Sequence, residues 1–490
     1  MDFNEEISNT RLATKFKKYL RQSGQFDKLP NIFYCGSQVI KQKGSLPAVF
    51  LLSTDDDEKS KFFGTTSCHS AWACPRCTAK VMAQKGANIA CAIDALAKWK
   101  KQYAFMVTFT LPHTKSMSAK ETYDILQKSW RDFCRGYSKD RHYKYQRNVD
   151  QEKNAHNKYC KEKEYVTVTT VGTSFKNSFG RMRSELGIKY FVKVYEFTWS
   201  DNNSWHPHIH ALLWTHKDNW DKILSYQSDI FELWWKVCKK NTAKVCGKEL
   251  AEELYTDWRK EPVTGHRSLF ISVDKKGKVV KQSSSMYICG WNGYDEKNSS
   301  SSAKGELRNG NVELTALNYK KASEGHYTPN QLLEQAELDP ENAEKWFKLY
   351  AEYAITTFKH RRVQFAERTD IYELIRKWKL TNEYTEIFKK KVMDKEKEHW
   401  RVVYWFSEKQ WKLICWLNLT TENPVLTEIL SRAPDKQKLE EYLESLGIPL
   451  TTREHPDAKF VEHAVFENRI YDPELKAFLD QETGELFDIA

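Results

Sequence analysis

Three histidines stand at alternate positions in the run WHPHIHALLW, residues 205–214. Because side chains along a β-strand alternate between its two faces, His206, His208 and His210 would share one face of such a strand. Neutral imidazole is a common metal ligand, so the spacing predicts metal binding by His208 and His210. We expect Pro207 to disturb the strand beside His206, and we therefore give His206 a supporting role beside the ligands or a contact to phosphate.

A carboxylate completes this candidate site. Residues 189–199 (KYFVKVYEFTW) form a second strand-like run, and the polar stretch 200–204 predicts a hairpin turn between the two runs. The turn places Glu196 roughly opposite His208 and His210. A carboxylate on the apolar face of a strand is costly unless paired or metal-bound, which indicates a ligand role. Two imidazoles and a carboxylate suit Mn²⁺ or Mg²⁺ with positions open for phosphate oxygens, and also suit zinc or iron. The alternative is a surface hairpin with incidental histidines.

Four cysteines form a second candidate metal site. Cys74 and Cys77 make a C-x-x-C knuckle that lets two thiolates reach one tetrahedral ion, and Cys68 precedes them. Cys35, in the strand-like run NIFYCGSQV, is the candidate fourth ligand, with His69 as the alternative. The spacing predicts a closed structural zinc site; a redox pair or buried free thiols are the other interpretations. The remaining cysteines lack ligand spacing and are predicted to pack in the interior: Cys91, Cys134, Cys160, Cys238, Cys246, Cys289 and Cys415.

The hydrophobic pattern predicts the elements that must position these residues. Ser118 and Glu121 form an S-x-x-E capping box at the start of a helix that continues to Tyr137. Other periodic runs predict helices over residues 10–22, 81–99 and 218–240 and strands over 103–110 and 269–273. The first of these helices is basic and would either lie on DNA or cap the domain. Residues 138–165 are predicted to be a solvated insertion and 292–311 a linker.

Composition favours a nucleic-acid partner. The 490 residues carry 77 Lys and Arg against 66 Asp and Glu, a net charge of +11, and 13% are aromatic. Basic and aromatic residues together suit phosphates and unpaired bases, although aromatic packing is the commoner use. The sequence contains no apolar run of about 18 residues that would span a bilayer. Its start is acidic, unlike a secretory signal, which is basic and then apolar. Its 11 cysteines, an odd number, fit reduced thiols better than a disulfide framework. We therefore expect a cytoplasmic protein without a membrane partner.

Four stretches stand in a telling order along the chain: CHSAWACPRC (68–77), FMVTFTLPH (105–113), YEFTWSDNNSWHPHIHALLW (195–214) and SMYICGW (285–291). In this order they resemble motifs of the HUH endonucleases, and within them the replication initiators of small rolling-circle plasmids. The segment from about residue 313 to Leu380 is similar more loosely.

The resemblance implies an α+β fold, with a central antiparallel sheet and flanking helices related to RNA-recognition folds. It also implies that a tyrosine attacks a DNA phosphate, leaving a 5′-phosphotyrosine and a free 3′-hydroxyl that primes synthesis. By this resemblance Tyr287 is the nucleophile and Tyr294 a possible second one. The family often has an acid and a lysine where this chain has Ser283 and Gly290, which puts in doubt how a second cleavage and a phosphate contact are made.

At about 150 residues per domain, a chain of 490 residues is expected to form two to four structural units. We divide the chain into an N-terminal zinc-binding segment (1–102), an HUH nuclease domain (103–298), a linker with a helical extension (299–395) and a C-terminal domain of open role (396–490). The expected partners are origin DNA, as a single-stranded or cruciform nick site with adjacent duplex, together with a host helicase and replication machinery. An HUH transposase or relaxase is the alternative within the class. A non-enzymatic, zinc-dependent DNA-binding regulator is the alternative outside it.

Overall fold

The computed structural model of the chain describes residues 3–40, 47–57, 59–135, 145–147, 166–168, 178–260, 269–271, 278–282, 307–308, 325–366, 369–381, 384, 400–451, 453–458, 461, 469–472, 477–480 and 486–488. The helices are α1 (Phe3–Gln22), α2 (Pro30–Phe33), α3 (Pro75–Lys100), α4 (Ala119–Arg135), α5 (Ser178–Glu185), α6 (Gln227–Val245), α7 (Lys248–Lys260), α8 (Pro329–Leu338), α9 (Ala343–Thr357), α10 (Ile371–Lys379), α11 (Glu408–Thr420), α12 (Val425–Arg432) and α13 (Lys436–Ser445). The strands are β1 (Ala48–Thr54), β2 (Ser60–Phe63), β3 (Gln102–Phe109), β4 (Tyr145–Arg147), β5 (Val166–Val168), β6 (Phe191–Ser200), β7 (Ser204–His216), β8 (Leu269–Ile271), β9 (Lys281–Gln282), β10 (Leu307–Arg308), β11 (His326–Tyr327), β12 (Val363–Phe365), β13 (Trp400–Ser407), β14 (Arg469–Asp472), β15 (Ala477–Asp480) and β16 (Leu486–Asp488). Helices and antiparallel sheets occur together, which confirms the α+β class.

A six-stranded sheet forms the centre of the fold. Its strands follow the order β11-β6-β7-β3-β8, with β12 also paired to β6, and every pairing is antiparallel. The predicted hairpin forms the middle of this sheet, because all of β6 pairs with residues 204–213 of β7 across the turn at 201–203. The predicted strand over 103–110 is β3, and the run at 269–273 supplies β8 at the edge.

Pro207 does not disturb β7, so that expectation is wrong. The strand runs without interruption from Ser204 to His216, and Pro207 pairs with Phe197 of β6. On its other side, β3 ends at Phe109, opposite Ile209. Pro207 therefore lies beyond the described ladder with β3, and proline is tolerated at such edges because no donor is required of it.

Different helices cover the two faces of the sheet. Val192 and Leu212 belong to an apolar cluster shared with α3 and α10. Phe109 and Leu213 point the other way, into a cluster shared with α4, α6 and α9. Each fully buried side chain of this size contributes about 1.5–3 kcal/mol, so both faces hold the hairpin in register. Toward the hairpin turn, the face under α3 and α10 changes from apolar residues to the histidines.

Glu352 of α9 connects the hairpin to the start of α4. Its Oε1 accepts a hydrogen bond from the backbone N–H of Ala119 at 2.7 Å, and its Oε2 accepts one from Nε1 of Trp205 at 3.1 Å. The predicted capping box is present at the same helix start. Ser118 donates its backbone N–H to Glu121 at 2.9 Å, and Glu121 donates its own N–H to the Ser118 hydroxyl at 3.2 Å. Helix and hairpin are thereby fixed to each other.

A second, smaller sheet joins distant parts of the chain. Strand β13 pairs antiparallel with β1, which also pairs with β2. Val49 and Leu51 of β1 pack with Phe406 of β13 and with apolar residues of α11, α12 and α13. The division made from the sequence places β1 and β13 in separate segments, whereas the structure makes them neighbours. We call this sheet and its three helices the terminal unit.

The segment 299–395 also reaches the central sheet. It contributes β11 and β12 as strands on β6, and α8, α9 and α10 pack into the two clusters described above. Helix α1 buries Leu12, Phe16 and Leu20 in the larger cluster, so it caps the core through its apolar face. Within the described residues, every helix is too short or too polar to cross a membrane.

Candidate metal centres

Glu196, His208 and His210 converge at the centre of the hairpin. Glu196 lies directly opposite His208 in the register, and His210 lies opposite Val194. Nε2 of His210 is 2.7 Å from Oε2 of Glu196, and Nε2 of His208 contacts the same oxygen. The three candidate ligand atoms all lie within 4.8 Å of one another. The structure therefore brings together the three residues that the sequence predicts as ligands.

The electrostatics of this group favour a cation. Burial raises the pKa of Glu196, but the charges and hydrogen bonds of His208 and His210 outweigh burial and hold that pKa below its usual range. Glu196 is 8% exposed and His210 7% exposed, so an ionised carboxylate is enclosed with two nitrogen donors. A divalent cation satisfies all three donors, and three protein ligands leave positions open for water or phosphate oxygens. Mn²⁺ or Mg²⁺ fits this donor set, as do zinc and iron.

Thr108 orients His210 from the neighbouring strand. It lies opposite His210 in the pairing of β3 with β7, and its hydroxyl is 3.0 Å from Nδ1 of the imidazole. A hydrogen bond at this nitrogen fixes the orientation of the ring and leaves Nε2 directed at Glu196. Sequence reasoning did not find this role, because it depends on which residue of β3 pairs with His210.

Replacing Thr108 with valine is expected to weaken metal binding without unfolding the sheet. Valine keeps the branched shape and removes the hydroxyl that orients His210. Loss of such a supporting bond typically costs about tenfold to a hundredfold in metal affinity. Titration of the metal-free protein with Mn²⁺, followed by electron paramagnetic resonance, measures the change. An unaltered affinity would show that Thr108 does not position the ligand.

Two further imidazoles continue the row beyond His208. The ring centroids of His206 and His208 are 5.4 Å apart, and those of His113 and His206 are 4.8 Å apart. Burial lowers the pKa of both His206 and His113, which keeps them neutral near pH 7. His113 donates Nδ1–H to the carbonyl oxygen of Leu111 at 3.3 Å. His206 therefore lies beside the candidate ligands, as the sequence predicts, and His113 is a neighbour that sequence reasoning did not single out.

The predicted nucleophiles lie outside the described residues. This applies to Tyr287 and Tyr294, and also to Ser283 and Gly290. The nearest described residues before them form β9, where Nζ of Lys281 lies 3.6 Å from the ring centroid of Tyr103. Their roles remain predictions.

Cys35, Cys68, Cys74 and Cys77 form the second candidate centre. Their sulfur atoms all lie within 4.8 Å of one another, with Cys35 at 3.5 Å from Cys77 and 3.7 Å from Cys74. Hydrogen bonds from Cys68, Cys74 and Cys77 lower the pKa of Cys35 far below its usual value, which favours the thiolate. His69 is exposed and does not belong to this group. Four converging sulfurs fit a tetrahedral zinc ion with no position left open.

The local structure brings Cys35 to the knuckle. Cys35 does not lie in a strand, so that expectation is wrong: Pro30 begins the short helix α2, and Cys35 lies in the turn that follows. Gly36, at φ +75°, takes the left-handed conformation that glycine adopts without strain. Helix α3 begins at Pro75, inside the C-x-x-C motif, earlier than the predicted residue 81. The Cys77 N–H donates to the carbonyl oxygen of Cys74 at 3.0 Å.

The other described cysteines are packed in the interior or partly buried. Cys91 and Cys238 are buried, and burial raises the pKa of Cys238 above its usual range. Cys134, Cys246 and Cys415 are partly buried. Cys160 and Cys289 lie outside the described residues.

Replacing Cys74 with serine is expected to lower the stability of the protein more than it alters its chemistry. The hydroxyl cannot replace a thiolate in a closed site, and structural zinc contributes directly to folding free energy. Thermal unfolding of the wild type and of Cys74→Ser, with elemental analysis of bound zinc, measures the effect. Cys91→Ser is the matched control, since Cys91 is buried outside the group. A wild type that contains no zinc would contradict the assignment.

Comparison with known proteins does not establish a family for the chain. No protein-family model matches it, and no solved structure matches it. A neomycin resistance protein of Streptomyces cyanogenus is 29% identical over 152 residues, which are 31% of this chain and 30% of that protein. The match thus spans less than a third of that relative's length, and the function of the chain must be argued from its own residues.

Proposed function

We propose that this protein is a metal-dependent, tyrosine-type DNA strand transferase of the HUH class that initiates rolling-circle replication. The observation that carries the proposal is the convergence of Glu196, His208 and His210 on one face of the central hairpin. A cation held there would keep positions open that phosphate oxygens can occupy, and the net charge of +11 favours a nucleic acid as the source of those phosphates.

The arrangement of the sheet supports the finer fold assignment, an RRM-like HUH nuclease domain. Strands β6 and β7 occupy the middle of an antiparallel sheet, β3 flanks them, and helices cover both faces. The candidate ligands therefore sit on rigid strands, and β3 supplies Thr108 to orient one of them. Functional groups on strands are held more precisely than groups on loops.

The proposed reaction is an exchange of phosphate esters. The tyrosine oxygen forms a bond to phosphorus, the bond between phosphorus and the 3′ oxygen breaks, and the phenol proton passes to solvent while the leaving oxygen gains one. When bound, the metal polarises the phosphate as a Lewis acid. The residues that would hold this metal are Glu196, His208 and His210, and Thr108 keeps the His210 ring aligned. The phosphodiester energy is retained in the phosphotyrosine, so rejoining needs no nucleotide cofactor.

Chain length permits Tyr287 to reach the candidate site. Lys281 lies over Tyr103 of β3, and Thr108, beside His210, is five residues further along that strand. Those five residues extend about 17 Å. The six residues from Lys281 to Tyr287 can span about 20 Å. Covalent reach is therefore sufficient for the proposed attack.

A labelled oligonucleotide assay tests the proposal. The full-length protein is incubated with Mn²⁺ and a library of single-stranded sites, and the expected product is a protein–DNA adduct that survives boiling in detergent. A zinc-dependent DNA-binding regulator would bind DNA and leave no adduct, which would reject the proposal. Extension of the new 3′ end by a polymerase on a supercoiled plasmid origin supports an initiator, whereas excision of an element supports the transposase alternative. Origin DNA and a host helicase are the partners that the initiator would require.

A further inference from the structure

Two cations lie beside the four cysteines. Lys17 of α1 is 7% exposed, and its Nζ donates to the carbonyl oxygen of Cys35 at 2.5 Å. Arg76 stands between Cys74 and Cys77, and its Nε is buried with no hydrogen-bond partner among the described residues. The guanidinium of Arg76 also fills the space over Gly36, because a Cβ there would lie 1.8 Å from NH1. A buried cation is costly unless negative charge is close to it.

The groups that favour the charged form of Lys17 are cysteines. Burial lowers the pKa of Lys17, and Cys35, Cys74 and Cys415 act against that shift. The acidic group that acts on Arg76 is Glu6, and Glu6 is itself 3.7 Å from Lys80. Within the described residues, Lys17 makes no ion pair with a carboxylate. Its counter-charge must therefore come mainly from the cysteine centre.

The charge of that centre depends on metal. A divalent ion bound by four thiolates leaves two net negative charges, which match Lys17 and Arg76 in number. Removing the ion returns protons to the thiols, so the centre loses most of its negative charge. Lys17 then remains in the interior with less compensation. The free energy of metal binding is therefore coupled to the cost of burying Lys17 and Arg76.

We propose that Lys17 and Arg76 are the counter-cations of a doubly negative tetrathiolate metal centre, and that metal binding holds α1 against this centre through Lys17. The proposal rests on the cysteine centre and is independent of DNA cleavage at the hairpin.

Contacts of α1 connect the cysteine centre to the terminal unit. Lys18 donates to the carbonyl oxygen of Thr421 at 2.6 Å, and Asn418 of α11 donates to the hydroxyl of Thr14 at 3.1 Å. Trp411 of α11 donates Nε1–H to the carbonyl oxygen of Gly36, the residue next to Cys35, at 3.1 Å. Helix α1 and the Cys35 turn therefore both contact α11. Release of the metal should loosen the terminal unit together with α1.

The test compares three variants of the full-length protein, each loaded with zinc. Lys17→Met removes the charge and keeps most of the aliphatic chain, whereas Lys17→Arg keeps the charge. Lys15→Met is the control on the same helix, because Lys15 is 43% exposed and pairs with Glu337 at the surface, where such pairs contribute little. Competition with a chromophoric chelator measures zinc affinity, and hydrogen exchange measures protection of α1.

We expect Lys17→Met to weaken zinc binding by about tenfold to a hundredfold, Lys17→Arg to weaken it less, and Lys15→Met to leave it unchanged. In the wild type, α1 should exchange faster after zinc is removed. In metal-free Lys17→Met, α1 should exchange more slowly than in the metal-free wild type, because the uncompensated charge is absent. This reversal separates a charge effect from simple loss of packing, which would accelerate exchange in both states.

Three results would overturn the proposal. One is zinc affinity in Lys17→Met equal to the wild type. Another is an equal loss of affinity in Lys17→Met and Lys17→Arg, which would indicate packing instead of charge. The last is α1 exchange that does not depend on metal in the wild type, including a wild type that binds no zinc. None of these results depends on whether the protein forms an adduct with DNA.

Discussion

Tyr287→Phe should lose the covalent protein–DNA adduct completely while the protein remains folded and still binds DNA. Phenylalanine keeps the aromatic ring and removes only the oxygen that attacks phosphorus in the proposed reaction. The candidate ligands lie on other elements, β6 and β7, so the change does not alter them: Glu196, His208 and His210. Detergent gels of reactions with labelled oligonucleotide measure the adduct directly.

Tyr294→Phe is the matched control for this experiment. It removes the same atom seven residues further along, and it should keep the first cleavage while at most impairing a second strand transfer. Mass spectrometry after nuclease digestion then locates the nucleotide remnant. A remnant on Tyr294, or on any residue outside 285–294, would overturn the assignment of Tyr287.

His208→Ala and His210→Ala should abolish nicking while leaving affinity for duplex DNA within a few fold. A Lewis-acid metal contributes several kcal/mol to such a reaction, and about 1.4 kcal/mol corresponds to a tenfold change in rate. We therefore expect a loss of at least about a hundredfold. Glu196→Gln should have a similar effect, because both imidazoles direct Nε2 at its Oε2. Adduct yield and a duplex-binding assay, performed on the same preparations, separate chemistry from binding.

His216→Ala provides the control on the same strand. His216 ends β7 on the same face, is exposed, and contacts Gln102 at 3.3 Å instead of the candidate ligands. Its removal should leave nicking unchanged. Full nicking by His208→Ala or His210→Ala would contradict the ligand assignment, and loss of nicking in His216→Ala would show that damage to the strand, and not loss of metal, explains the effect.

Local periodicity was sufficient to predict the hairpin and the convergence of its three candidate ligands. The turn at 200–204 and the alternation of residues determine which side chains of β6 and β7 share a face, and the register places Glu196 opposite His208 as expected. The capping box at Ser118 and the C-x-x-C knuckle could also be predicted from the sequence, because each involves residues close together in the chain. Cys35 was also assigned to the cysteine group in advance, but the conformation of its segment was not.

Only the tertiary structure decided the relations between residues far apart in the chain. The pairing of β1 with β13, the hydroxyl that Thr108 presents to His210, and the position of Lys17 beside Cys35 have no signature in the local pattern. Each depends on which surfaces pack together, and many sequence-distant partners would satisfy the same local periodicity. The sequence by itself therefore determined which residues form the hairpin and which of them share the face of the candidate ligands. Packing decided how helix α1, the cysteine centre and the terminal unit meet, because buried area and charge balance are properties of the assembled chain.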